Sequence, residues 1–261
     1  GRVFGHLQAL QVNDFTADGA TRRMIQNAVR YIDDRMVEDY EELEQQVQKG
    51  KTTFDKDHLS NIAIHYLYAR SFFLNDKNPQ ANQDEPISRK GPYFVELNKK
   101  AQLVFDYYLG QSEKYWTEKG LYQNGMIALA NHRSEKPTVA ADIVKSLKER
   151  SLKNEEMGMY WKYNTGYFWY QAPVETHALM IEVFDEVAKD AAAVNDLKVW
   201  LLKNKQTNHW KTTKSTANAV YALLTTGGNW LAETEQVVID FPMVKNSNWE
   251  QKIKEAQQTA E

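Results

Sequence analysis

The stretch PVETHALMIEVFDEVAKD, residues 173–190, decides how the rest of the chain is read. Val174, Ala178, Ile181 and Ala188 recur on one helix face, and Leu179, Val183 and Val187 widen it. Pro173 suits the first helical position, where a missing N–H removes no hydrogen bond. A helix that is apolar around so much of its circumference needs cover on more than one side. The expected setting is the interior of a two-layered helical protein.

The same periodicity predicts helices near 3–11, 21–48, 57–75, 93–109, 120–133, 137–152, 192–205 and 213–226, besides 173–189. Turn residues gather between them, in NDFTADG, QKGKTT, NDKNPQANQDEP and TTGGN. The polar stretch 75–92 is read as a surface loop within the domain, because helices of the same kind resume after it. Near the C-terminus the pattern changes. EQVVIDFP (235–242) is β-branched and stopped by Pro242, which predicts a short strand. Trp116, Trp161 and Trp210 stand 45 and 49 residues apart, each near a helix junction. A period of that size points to stacked helix pairs. The predicted fold is therefore all-α, an alpha/alpha toroid of helical hairpins over 1–230, incomplete at its N-terminus. Residues 231–261 are expected to begin a β-rich domain or to form a tail.

Composition narrows the chemistry. The 261 residues carry a formal net charge of −3 with acids and bases interleaved, so nothing favours nucleic acid or an anionic lipid surface as partner. There is no cysteine, which removes disulfides, thiolate metal sites and a Cys nucleophile from this sequence. No apolar run approaches the ~20 residues of a membrane-spanning helix. The six histidines show no short metal-ligand spacing, and no Gly-x-Ser-x-Gly marks a serine nucleophile. No cofactor, metal or catalytic residue is expected.

The most suggestive polar motif is NHWKTTKSTANAVYALL (208–224). Thr212 and Thr213 suit a helix cap, while Lys211 and Lys214 stand at the end where the helix dipole favours anions. Lysines, hydroxyls and a helix N-terminus can together hold a carboxylate or phosphate, but no glycine lets the backbone wrap a ligand. A cap with solvated lysines is the simpler reading. Glu175 occupies the first turn one repeat earlier and is a candidate ion-pair partner for Lys211 or Lys214. Trp210, beside them, completes the set of candidate structural or interdomain residues. Acids at helix starts (Asp55, Asp57, Glu175) and the aromatic run MYWKYNTGYFWYQAP (159–173) also permit a sugar-cleaving toroid. Capping and the helix dipole alone explain the acids, and aromatic packing explains the run as well.

Several blocks resemble a known family: SLKERSLKNEEMGMYWK (146–162), WYQAPVETHALMIEVFDEV (169–187) and VWLLKNKQTNHWKTTKSTANAVYALL (199–224). VFGHLQALQV (3–12), AVRYIDDRMVEDYEEL (28–43) and HLSNIAIHYLYARSFF (58–73) extend the resemblance. Together they are similar to the helical thioester-type domain of bacterial alpha-2-macroglobulin-like proteins of the Bacteroidetes type. That resemblance implies one domain of a longer, periplasmic or cell-surface endopeptidase inhibitor. Its partners would be neighbouring domains of the same chain and the target proteases it traps. It also implies that the chain is not an enzyme by itself. The family's Cys-x-Glu-Gln thioester motif does not occur in these residues, so no reactive residue carries over.

Overall fold

The computed structural model describes residues 19–74, 95–162, 172–205, 210 and 212–226. The helix expected at 3–11 and the strand expected at 235–242 lie outside them, as does most of the aromatic run, from 163 to 171. Packing divides the chain into two compact units, Gly1–Thr226 and Gly227–Glu261. The described residues all belong to the first.

This unit is helical. In chain order it contains α1 (Gly19–Gln48), α2 (Asn61–Ser71), α3 (Lys99–Tyr115), α4 (Leu121–Arg133) and α5 (Pro137–Glu149). A hairpin of β1 (Leu152–Asn154) and β2 (Gly158–Tyr160) follows, and then α6 (Pro173–Glu186), α7 (Ala191–Asn204) and α8 (Thr213–Thr226). A single 3-10 turn, Trp116–Glu118, links α3 to α4.

The helices start where side-chain acceptors or prolines allow. Ser60 accepts from the Ala63 amide at the start of α2, and Asn98 accepts from the Lys100 and Ala101 amides at the start of α3. Pro137 and Pro173 open α5 and α6. α3 runs six residues beyond the end expected at 109. It passes through Gly110, whose neighbours Leu109, Gln111 and Ser112 are buried.

The even-numbered helices form a continuous row: α2 packs on α4, α4 on α6 and α6 on α8. Each odd helix backs an even one, α3 on α2, α5 on α4 and α7 on α6, with α1 lying on α3 and α2. Burial follows this division. Every residue from Asn124 to Asn131 of α4 and from Glu175 to Phe184 of α6 is buried, as expected of helices enclosed on all sides. α5 buries only the stripe Ala140, Ile143, Val144 and Leu147. A fully buried Leu or Ile contributes about 1.5–3 kcal/mol, so most of the hydrophobic stabilisation resides in the even row and the inner faces of its backing helices.

Two glycines make close approaches possible. A Cβ at Gly125 would lie 2.4 Å from Met180 Cε and 2.9 Å from Leu179 Cδ2, so a hydrogen there lets α4 and α6 close together. Gly158 has φ +67° and faces the Asp196 carbonyl of α7, which a Cβ would meet at 2.1 Å. The hairpin is antiparallel, pairing Leu152 with Tyr160 and Asn154 with Gly158, and its turn is fixed by the Met157 amide donating to Asn154 Oδ1 at 2.6 Å. It was not apparent in the sequence, where α5 was expected to continue to 152.

Candidate functional site

The polar chemistry of the interior is concentrated on the even helices, and its centre is Arg133, the last residue of α4. Arg133 Nε donates to Glu186 Oε1 at 2.7 Å, and Nη2 donates to Glu186 Oε2 at 2.5 Å and Glu182 Oε1 at 2.8 Å. Tyr68 of α2 donates its hydroxyl to both oxygens of Glu182, at 3.1 and 2.9 Å, and Arg133 Nη1 reaches Ser71 Oγ at 3.3 Å. The guanidinium lies 4.1 Å from the centroid of Phe72. One cation thus joins α2, α4 and α6 at the carboxyl ends of α2 and α4, where the helix dipole favours positive charge. Burial works against that charge, but Glu186 and Glu182 outweigh it and hold Arg133 well above its ordinary range.

A second cluster ties α1 to α2. Arg70, fully buried, donates from Nε to Asp33 at 3.0 and 3.3 Å and from Nη2 to the Val95 carbonyl, and Tyr66 donates to Asp33 Oδ1 at 2.9 Å. Burial raises the Asp33 carboxyl above its usual range despite the pull of Arg70 and Tyr66. A cleft of about 440 Å³ adjoins it, lined by Arg30, Asp33 and Asp34 of α1 and by residues 96–99.

His177 is buried on α6, apart from both clusters. Its ring stacks on Trp200 at 4.1 Å, and Nε2 donates to the Leu197 carbonyl at 2.7 Å. Complete burial pushes its pKa down to about 3, although the Leu197 hydrogen bond acts the other way. The imidazole is therefore neutral at physiological pH, and it joins α6 to α7 as a packed core group.

The residues singled out in the sequence take quieter places. Thr212 is a helix cap: its Oγ1 accepts from the Ser215 amide at 3.0 Å and contacts Ser215 Oγ at 2.8 Å. Thr213 and Lys214 are exposed in the first turn of α8. Trp210 is buried, donating Nε1 to the Leu201 carbonyl at 3.3 Å, with Lys205 Nζ 5.9 Å from its ring. Glu175 is buried in the first turn of α6 and makes no ion pair with Lys214. Lys211 lies outside the described residues. Asp57 is a local structural acid, accepting from the Leu59 amide and pairing with Lys119 at 2.5 Å.

A sugar-cleaving enzyme needs two carboxylates facing each other across open space, roughly 5–10 Å apart. Glu182 and Glu186 instead share one guanidinium. No group of three or more His, Cys, Asp or Glu side chains among the described residues is arranged to hold a metal ion. No described helix is long and apolar enough to cross a membrane. Comparison with known families, curated proteins and solved structures finds no match to this chain.

Sequence reasoning missed Arg133, Glu182, Glu186 and Arg70. The available signal was a charge embedded in an apolar run, as in ALMIEVF (178–184) and HYLYARSFF (65–73).

Proposed function

We propose that this chain is the helical body of an alpha-2-macroglobulin-like endopeptidase inhibitor, a protease trap acting in the periplasm or at the cell surface. In this reading it is not an enzyme. Its row of even helices belongs to an alpha/alpha toroid, and its partners are neighbouring domains of a longer chain and the captured protease. The sequence blocks quoted above provide the resemblance. The observation that carries the reading is the row of helices α2, α4, α6 and α8 packed side by side, three of them backed by a neighbour, with the buried or part-buried arginines Arg70 and Arg133 bound to carboxylates. Such a body offers a rigid wall and seat for a reactive group elsewhere. Covalent capture would depend on residues beyond this sequence, which has no Cys-x-Glu-Gln.

The full-length protein provides the test. It is challenged with an endopeptidase and passed through a sizing column, with peptide and protein substrates assayed across the fractions. A trap carries protease that still cleaves small peptides but not large proteins. Methylamine pretreatment with thiol release distinguishes a covalent trap from a purely conformational one. Protease that elutes alone and uninhibited would refute the proposal.

One observation favours a second reading, a scaffold that binds proteins without chemistry. Thr213, Ala217, Val220 and Leu224 form an exposed stripe along α8, with Val220 42% and Leu224 56% accessible. Such a scaffold would bind a partner with no effect on protease activity.

A further inference from the structure

We propose that Lys198 is a clamp on the exit of the helical unit, keeping α8 wound to its last residue where the chain passes into the second compact unit. The boundary between units falls between Thr226 and Gly227, and α8 ends at Thr226. The last carbonyls of any helix have no partner within the helix and fray unless something donates to them. Here the donor comes from another helix. Lys198, in the middle of α7 and only 7% exposed, reaches across to donate Nζ to the Thr226 carbonyl at 2.5 Å.

The rest of the last turn is held locally. Thr226 Oγ1 donates to the Ala222 carbonyl at 2.6 Å, and Thr225 Oγ1 donates to the Tyr221 carbonyl at 2.9 Å. These bonds go to carbonyls one turn back, and among the described residues the donor shown to the terminal carbonyl is the lysine. A cation at a helix C-terminus is also favoured by the helix dipole. Asp185 of α6 supplies the opposing charge. Burying an ammonium is costly and is normally repaid by a partner. The geometry supplies the carbonyl at the end of α8, and the charge of Asp185 on α6 favours the ammonium form. The clamp therefore ties the end of α8 to the middle of α7.

Hydrogen exchange on the full chain tests this. Lys198→Met keeps the apolar stem and removes the donor. Amides of residues 221–226 should exchange about ten-fold faster or more, as loss of a charged hydrogen bond implies, while those of α4 keep their protection. Asp185→Asn removes the opposing charge but not the donor and should leave 221–226 protected. Unchanged exchange at 221–226 in Lys198→Met overturns the proposal. If that variant also loses α4 protection, Lys198→Arg decides. It retains a donor, so normal protection at 221–226 supports the clamp and loss of protection there refutes it.

Discussion

Acid should weaken this protein through one histidine. In the unfolded chain, His177 takes a proton near pH 6.5, whereas in the fold its pKa is about 3. Between those values the unfolded state binds more protons than the folded state, so stability rises with pH across that window. His177's contribution is complete above about pH 6.5 and is lost progressively as pH falls toward 3. The slope is about 1.4 kcal/mol per pH unit, so going from pH 7.5 to 5.0 costs about 2 kcal/mol from this residue alone. The structural cause is that protonation would place a charge in a fully buried ring stacked on Trp200. His132, Asp190, Asp33 and Asp185 also shift on folding, so the raw pH profile mixes several groups. The difference between wild type and His177→Gln isolates the one of interest, because the other groups cancel. Gln can still donate to Leu197, and its packing loss adds an offset that does not depend on pH. Urea unfolding of both proteins from pH 7.5 to 5.0 should show the gap between them narrowing by about 2 kcal/mol. A gap that stays constant across that range would refute the assignment of a neutral, buried His177.

Arg133→Met should destabilise by roughly 3–5 kcal/mol, since it leaves buried Glu182 and half-buried Glu186 without their cation. The midpoint of urea unfolding measures it, and a triple variant that also carries Glu182→Gln and Glu186→Gln should recover part of the loss. Gly158→Ala forces a Cβ onto the Asp196 carbonyl from a left-handed backbone, so hairpin amides should lose exchange protection and stability should fall by about 2 kcal/mol or more. Thr212→Ala should cost about 1 kcal/mol in a thermal melt through loss of the α8 cap, whereas Lys214→Ala should change stability by under about 0.5 kcal/mol. If phosphate stabilises wild type but not Lys214→Ala, the anion reading of that motif would stand after all.

The starts of α5, α6 and α8 were legible because Pro137, Pro173 and Thr212 announce them chemically. α3 was misplaced because Asn98 was not recognised as its cap. The hairpin escaped notice because its strands are three residues each, too short for an alternating pattern to emerge. The interior charges were harder still. Tyr68 and Glu182 are 114 residues apart, and only the side-by-side placement of α2, α4 and α6 brings them together. Sequence shows that a buried charge needs a partner, but the packing decides which one. Glu175 illustrates this: it makes no ion pair with Lys214, and the other lysine offered as its partner, Lys211, lies outside the described residues.

The exposed stripe on α8 allows stability and recognition to be separated. Val220 and Leu224 project outward from a helix whose opposite face, with Ala219 and Ala222, is buried against the core. Changing both to Ser removes apolar surface that water already reaches, so the unfolding midpoint should move by less than about 0.5 kcal/mol per site. If the stripe is a docking face, the same double variant should still fold but lose its partner. In full-length protein that loss would appear as faster proteolysis between domains, or as failure to retain a protease after cleavage. A variant that is both normally folded and fully competent in retention would show the stripe to be ordinary surface. A large fall in stability would instead mean that the stripe is covered within the unit. Arg133→Met is the necessary counterpart, because it should lower stability before it affects any contact made by α8. The two substitutions place the framework and the recognition surface on different helices, and the order in which they damage the full-length protein tests that division.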